Sequence, residues 1–159
     1  MVSKALFTSK TDEWYTPRCV LDLVNEFGTI GLDPCWAEWC IVDSVVKLGP
    51  EDDSLNVKWN KYGLVFVNPP YSAIRLWAST IRMQAISGAE IIALVPSRTD
   101  TKWFHNMADV AKCVAFWQGR LKFLGAENSA PFPSALFYFG ENKERFRAVF
   151  SKRAIVYGQ

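Results

Sequence analysis

Four consecutive residues, Asn68-Pro69-Pro70-Tyr71, bring together a carboxamide, a rigid pair of prolines with their backbone carbonyls, and an aromatic face. Pro69 has no backbone N–H, so the turn offers mainly hydrogen-bond acceptors. Acceptors beside an aromatic ring suit a planar group that presents an exocyclic NH2. Drawing on its N–H bonds prepares that nitrogen to receive a methyl group. The tetrapeptide directly follows the apolar run Leu64-Val65-Phe66-Val67, which reads as a buried strand of a parallel sheet. Ligands of open α/β sheets gather at the carboxyl ends of strands. Asn-Pro-Pro is also ordinary turn punctuation; its place after a buried strand is what favours a functional turn.

The elements that must position this turn can be read around it. Thr16 is expected to cap a helix that has Pro17 at its first position, with Val20, Leu21, Val24 and Phe27 on its apolar face and Gly28 at its end. A short strand follows over Thr29 to Leu32, stopped by Asp33-Pro34, whereas Cys40 to Val46 fits a strand or a short helix equally well. Beyond the turn, Ser72 is placed to cap a helix with the stripe Ile74, Trp77, Ala78, Ile81 and Ala85, ending at Gly88. Ile91 to Val95 is a second fully apolar strand, and strand-helix-strand implies a right-handed parallel crossover. Thr101 to Ala111 reads as another helix. Cys113 to Trp117, Leu121 to Leu124 and Ala135 to Phe139 read as short strands, and a helix over Asn142 to Ser151 is expected to close the chain. The expected fold class is α/β: a mostly parallel sheet with a late antiparallel strand and helices on both faces.

Composition narrows the field. The 159 residues, 50% of them hydrophobic, suit a single domain over 1–159 that folds without staples. No apolar run approaches the roughly 18 residues of a membrane span, and Met1 to Phe7 is too short of apolar residues for a secretory leader. The expectation is a cytoplasmic protein, in the host cytoplasm if phage-encoded. The four cysteines form no C-x-x-C pair and His105 is the only histidine, so neither a metal site nor His-dependent nucleophilic catalysis is expected. Charge is uneven. Residues 1–97 hold 8 Lys/Arg against 11 Asp/Glu, and residues 98–159 hold 10 against 5. The basic half offers Arg98, Lys102, Arg120 and Lys122, then Lys143, Arg145, Arg147, Lys152 and Arg153, as contacts for phosphate.

Four stretches occur in order: Glu13-Trp14-Tyr15-Thr16-Pro17, Leu32-Asp33-Pro34-Cys35, Asp53-Ser54-Leu55 with Trp59, and Asn68-Pro69-Pro70-Tyr71. With Pro133-Ser134-Ala135-Leu136-Phe137 after Phe116 to Phe123, they resemble the phage-encoded Dam-like DNA N-6-adenine methyltransferase family across most of the chain. The resemblance implies a Rossmann-like fold, S-adenosylmethionine as methyl donor, and a flipped-out adenine in DNA as acceptor. It implies Asn68, Pro69, Pro70 and Tyr71 as catalytic. It further implies that Trp14, Tyr15, Thr16, Pro17, Asp33, Pro34 and Cys35 line the methionine end of the cofactor, with Asp53 and Asp52 at its ribose or adenine end. Asn68 borders the cofactor as well, and Arg98, Lys102, Arg120 and Lys122 meet DNA. One departure is the segment after Asp33-Pro34, Cys35 to Trp39, which lacks glycine, so Trp36 or Trp39 is expected to cover the cofactor. Two other readings stand beside this one: an amino-methyltransferase acting on RNA, cytosine N4 or a protein amide, and a degenerate methyltransferase fold serving as a binding or decoy module. Oligomeric state is not legible.

Overall fold

The carboxyl ends of neighbouring parallel strands form one edge of a seven-stranded sheet, and the order of those strands decides where that edge opens. The computed structural model describes residues 14–159; the leader reading of Met1 to Phe7 and Glu13 of the first motif lie outside the described residues. The strands are β1 (Ile30–Asp33), β2 (Ser44–Lys47), β3 (Leu64–Val67), β4 (Glu90–Pro96), β5 (Cys113–Trp117), β6 (Ser134–Phe139) and β7 (Ala154–Gly158). The helices are α1 (Arg18–Phe27), α2 (Ile74–Ile86), α3 (Lys102–Ala108) and α4 (Lys143–Phe150). The sheet order is β2-β1-β3-β4-β6-β5-β7. β2, β1, β3 and β4 pair in parallel, while β4 with β6, β6 with β5, and β5 with β7 pair antiparallel. Five strands therefore run one way, and two, β6 and β7, run against them. From β1 the chain turns to one side to form β2, then crosses back to form β3 on the other side. In open α/β sheets such a reversal is where ligands bind, and here it falls beyond Asp33 and Val67.

Two cores sandwich the sheet because strand side chains alternate between faces. Leu64 and Phe66 of β3 pack with Val20, Leu21, Val24 and Phe27 of α1 and with Phe146, Val149 and Phe150 of α4. Val65 and Val67 pack on the other side with Trp77, Ala78 and Ile81 of α2 and Trp103, Phe104 and Met107 of α3. All four β3 side chains are buried, which is why that run shows no alternation in sequence.

Several sequence expectations change. Pro17 is the N-cap of α1, with φ −75° and ψ 157°, and the Thr16 side chain makes no capping bond. A 3-10 turn over Tyr71–Ala73 precedes α2, whose N-cap is Ala73 rather than Ser72. The undecided stretch Cys40 to Val46 is irregular until β2 begins at Ser44. Leu121 to Leu124 is not a strand; only Leu124 pairs, in an isolated antiparallel bridge to Tyr15. Its apolar character comes from Leu121 and Phe123, which are buried through side-chain packing. Nor does the chain close on a helix: β7 follows α4 and forms the sheet edge beside β5.

The strand that carries Asp33 is set by a bulge. Ile30 and Leu32 of β1 face the consecutive residues Leu64 and Val65 of β3, so Gly31 is the extra residue. A Cβ at Gly31 would lie 1.6 Å from the Tyr62 carbonyl oxygen, so only glycine fits. Gly31→Ala is expected to lower stability by on the order of 2 kcal/mol or more through overpacking. Chemical denaturation would check it, and a midpoint equal to wild type would show that the neighbouring backbone yields freely.

Candidate active site at the carboxyl edge of the sheet

Asn68 is the first residue beyond β3, and its carboxamide reaches back to the segment that precedes α1. Its Nδ2 donates to the Trp14 carbonyl oxygen at 2.6 Å and to Thr16 Oγ1 at 3.0 Å. Both amide hydrogens are thus used on residues more than fifty positions away in sequence. The Thr16 hydroxyl, expected to cap α1, serves this long-range contact instead. Asn68 Oδ1 is buried and has no hydrogen-bond partner among the described residues. Buried polar atoms are nearly always paired, and an unpaired acceptor at a strand end is able to take a donor from a bound molecule.

Asp33 ends β1 beside it. Its side chain is 3% exposed. Oδ1 accepts from the Cys35 backbone N–H at 2.9 Å, closing the turn at Pro34, whereas the thiol of Cys40 stands 3.9 Å from Oδ2. Burial raises the carboxyl pKa from 3.8 to about 7, against the smaller lowering effects of the Cys35 N–H, the Lys47 charge and the Cys40 thiol. Burial also pushes the Cys35 thiol well up, with the neighbouring Asp33 charge adding to it. A carboxylate so poorly compensated gains most from a cation placed against it.

Tyr71 belongs to an aromatic group that the sequence did not reveal. Its ring meets Phe132 at 5.6 Å and Phe123 at 6.4 Å, both edge-on, and Trp14 meets the same two rings at 5.2 and 5.3 Å. Burial drives the Tyr71 hydroxyl pKa upward, and that hydroxyl has no hydrogen-bond partner among the described residues. Phe123 and Phe132 come from the long connection between β5 and β6. Phe123 lies in the run Leu121 to Leu124 that reads as a strand, and Phe132 stands between two prolines, so no local signal brought the two rings together at Tyr71.

The remaining expected site residues lie on the same edge without meeting in one cluster. Pro69, Pro70, Pro17 and Pro34 are buried and shape the turns, and Tyr15 pairs with Leu124. Asp52 and Asp53 follow the carboxyl end of β2. Asp52 accepts from the Gly49 N–H, and both carboxylate oxygens of the exposed Asp53 accept from Asn56 Nδ2. Trp36 is tied to β2 through its N–H to the Leu48 carbonyl and packs against Gly49, while Trp39 is 71% exposed. Arg98 is exposed and pairs with Asp100; Lys102, Arg120 and Lys122 are exposed near the ends of β4 and β5. The C-terminal basic group is largely structural. Arg145 donates to the carbonyls of Glu26 and Phe27, Arg147 to that of Val156 and Lys143 to that of Gln159, while Lys152 pairs with Glu26. Arg153 stacks on Trp117. His105 is exposed, with Nε2 2.7 Å from the Thr99 carbonyl oxygen. Among the described residues no three His, Cys, Asp or Glu side chains group as metal ligands, and no helix is long and apolar enough to cross a membrane.

An α/β protein with an acceptor-rich turn after β3, and with a buried carboxylate after β1 across a reversal in strand order, falls in the class that binds ligands at strand ends. The sequence model of the DNA N-6-adenine-methyltransferase (Dam) family matches residues 3–151, and the chain belongs to that family. No individual curated protein matches the chain at a significant level.

The buried carboxyl has a consequence for stability. Because its pKa is raised on folding, the folded form holds a proton that the unfolded chain has released, so stability falls as pH rises from about 4 to about 7. Asn at this position keeps the acceptor for the Cys35 N–H and removes the titration. Asp33→Asn is therefore expected to be more stable than wild type at pH 8, by on the order of 3–4 kcal/mol, with the gain shrinking toward pH 4. Melting temperatures of the two proteins at pH 5 and pH 8 check this; a difference independent of pH would mean the carboxyl titrates normally.

Proposed function

We propose that the chain is a DNA adenine N6-methyltransferase in one minimal domain, residues 1–159, with a Rossmann-like fold that uses S-adenosylmethionine. The observation that carries this reading is the buried, unpartnered Oδ1 of Asn68 at the carboxyl end of β3. An acceptor left in that state costs about 1–3 kcal/mol, which an N–H donor from the substrate relieves. Adenine flipped out of the duplex presents such a donor at N6. Asn68 Oδ1, with the Pro69 carbonyl, accepts the amino hydrogens and draws the nitrogen lone pair out of conjugation with the ring. Tyr71 stacks on the base, and Pro70 stiffens the turn that holds both groups. Phe123, Phe132 and Trp14 keep water from that side of the ring. This is catalysis by positioning and electrostatics.

The residues around β1 fit the cofactor. S-adenosylmethionine supplies an electrophilic methyl carbon bound to a sulfonium sulfur. Its ammonium group matches the buried, undercompensated Asp33 carboxylate, a charge-assisted contact. Trp14, Tyr15, Thr16, Pro17, Pro34 and Cys35 form the surrounding wall, with Asn68 at its border. Asp53, assisted by Asp52, takes the ribose or adenine end in place of the Asn56 amide it now holds. Arg98, Lys102, Arg120 and Lys122 face DNA from the same edge, where the long β5–β6 connection also lies.

The test is incubation with methyl-labelled S-adenosylmethionine and unmethylated DNA, followed by nucleoside analysis. Labelled N6-methyladenine is expected, and Asn68→Ala is expected to lower turnover by about 10²-fold or more. Label in RNA, in N4-methylcytosine or in protein would reassign the substrate. Cofactor binding that fails altogether would favour a binding or decoy module.

Asp33 must be ionised to hold the ammonium group. Cofactor affinity is therefore expected to fall as pH drops below about 7, by up to roughly tenfold per unit, and Asp33→Asn is expected to bind weakly with no such slope. Calorimetry between pH 5.5 and 7.5 decides it, since equal slopes for both proteins would remove Asp33 from the cofactor site.

A further inference from the structure

The segment Trp14 to Thr16 carries two sets of contacts that differ in what they require. The Trp14 carbonyl oxygen can only accept a hydrogen bond. The atom 2.6 Å away on residue 68 must therefore be a donor, which fixes Nδ2 on that side and turns Oδ1 to the other. The Thr16 hydroxyl, 3.0 Å from the same nitrogen, could donate or accept and so does not discriminate. Thr16 itself is 2% exposed. The segment is also pinned from outside: the Leu124 N–H donates to the Tyr15 carbonyl at 2.9 Å, and the Trp14 ring meets Phe123 and Phe132 edge-on. A carboxylate at position 68 would set an anionic oxygen against the Trp14 carbonyl. In a buried place that contact is repulsive unless the carboxyl is protonated and donates.

We propose that Trp14 to Thr16 is a positioning element that fixes the orientation of the Asn68 carboxamide and makes position 68 specific for an amide over a carboxylate. This rests on the reading of Asn68 as the acceptor for the substrate amino group. It assigns to the Thr16 hydroxyl a role on the catalytic acceptor, distinct from the place of the Thr16 backbone and methyl group in the cofactor wall, which Val at this position keeps. Through the Tyr15–Leu124 bridge and the aromatic contacts, it also links the placement of that acceptor to the β5–β6 connection.

The experiment compares full-length wild type with Asn68→Asp, Thr16→Val and Thr16→Ser. Each is measured for melting temperature at pH 5 and pH 8, and for kcat and cofactor KM. Asn68→Asp is expected to lose stability relative to wild type at pH 8 and to recover much of it at pH 5, where its carboxyl can donate to Trp14. Its turnover relative to wild type is expected to fall as pH rises. Thr16→Val is expected to lower kcat about tenfold or more with cofactor KM within about threefold of wild type, because a small displacement of the acceptor is felt in the transition state. Thr16→Ser, which keeps the hydroxyl, is expected to restore most of that loss. An Asn68→Asp protein as stable and active as wild type at pH 8 overturns the proposal, as does a Thr16→Val protein that raises cofactor KM with kcat intact. If wild type transfers no methyl group to any acceptor, the catalytic reading has failed, and the stability comparison of Asn68→Asp at the two pH values still decides the positioning role.

Discussion

The carboxyl edge of the sheet is organised by one long-range interaction, the donation of both Asn68 amide hydrogens to Trp14 and Thr16. It joins the residue after β3 to the residues before α1, beside the reversal of strand order at β1 and β3. Removing it would release the lead-in to α1 from the sheet edge and leave buried polar groups on both sides unpaired. The same bonds direct Oδ1 away from the protein's own donors. A stable anchor and an unsatisfied acceptor are thus two ends of one side chain. Asp33, one strand over, repeats the arrangement: one oxygen closes its own turn and the other meets only a distant thiol. Both groups carry a folding cost that local bonds do not recover.

Legibility in the sequence followed from burial. β3 and β4 are covered by helices on both faces, so Leu64 to Val67 and Ile91 to Val95 read as unbroken apolar runs and their prolines marked the ends. β7 was not legible because it is an edge strand: Ile155 and Tyr157 are each 64% exposed, and the short run after α4 resembles a tail. Leu121 to Leu124 misled in the opposite sense, since inward Leu121 and Phe123 gave it an apolar character without strand pairing. The turn Asn68 to Tyr71 and the carboxylate Asp33 could be read because strand-end position is a local property. The use of Thr16 could not, because a hydroxyl before a helix looks the same whether it caps that helix or serves an amide 52 residues away.

Basic residues show the same limit. The excess of positive charge after residue 97 suggested a surface for phosphate. Most of the cluster from Lys143 to Arg153 is spent on carbonyls, on Glu26 or on an indole ring, and there it fastens α4 and β7 to α1 and β5. What remains is smaller and better placed. Lys102, Arg120 and Lys122 are exposed at the ends of strands that run parallel to β3, on the edge where the acceptor lies. A polyanion attracted to those charges would approach that edge rather than the opposite end of the sheet.

The glycine-poor segment after β1 finds its reason in the neighbouring strand. Leu48 donates its N–H to the Asp33 carbonyl, and Trp36 donates to the Leu48 carbonyl, so the backbone beyond β1 continues pairing with the chain beyond β2 instead of arching freely. Trp36 then lies on Gly49, and a side chain at that position would meet the indole at 3.4 Å. Cys35 follows the buried turn with its thiol driven toward the neutral form by burial and by Asp33. A neutral thiol leaves Asp33 as the charged group between β1 and the Asn68 turn, facing only the more distant Lys47 among cations that influence it. That burial, with little compensation, is what gives the carboxylate its raised pKa.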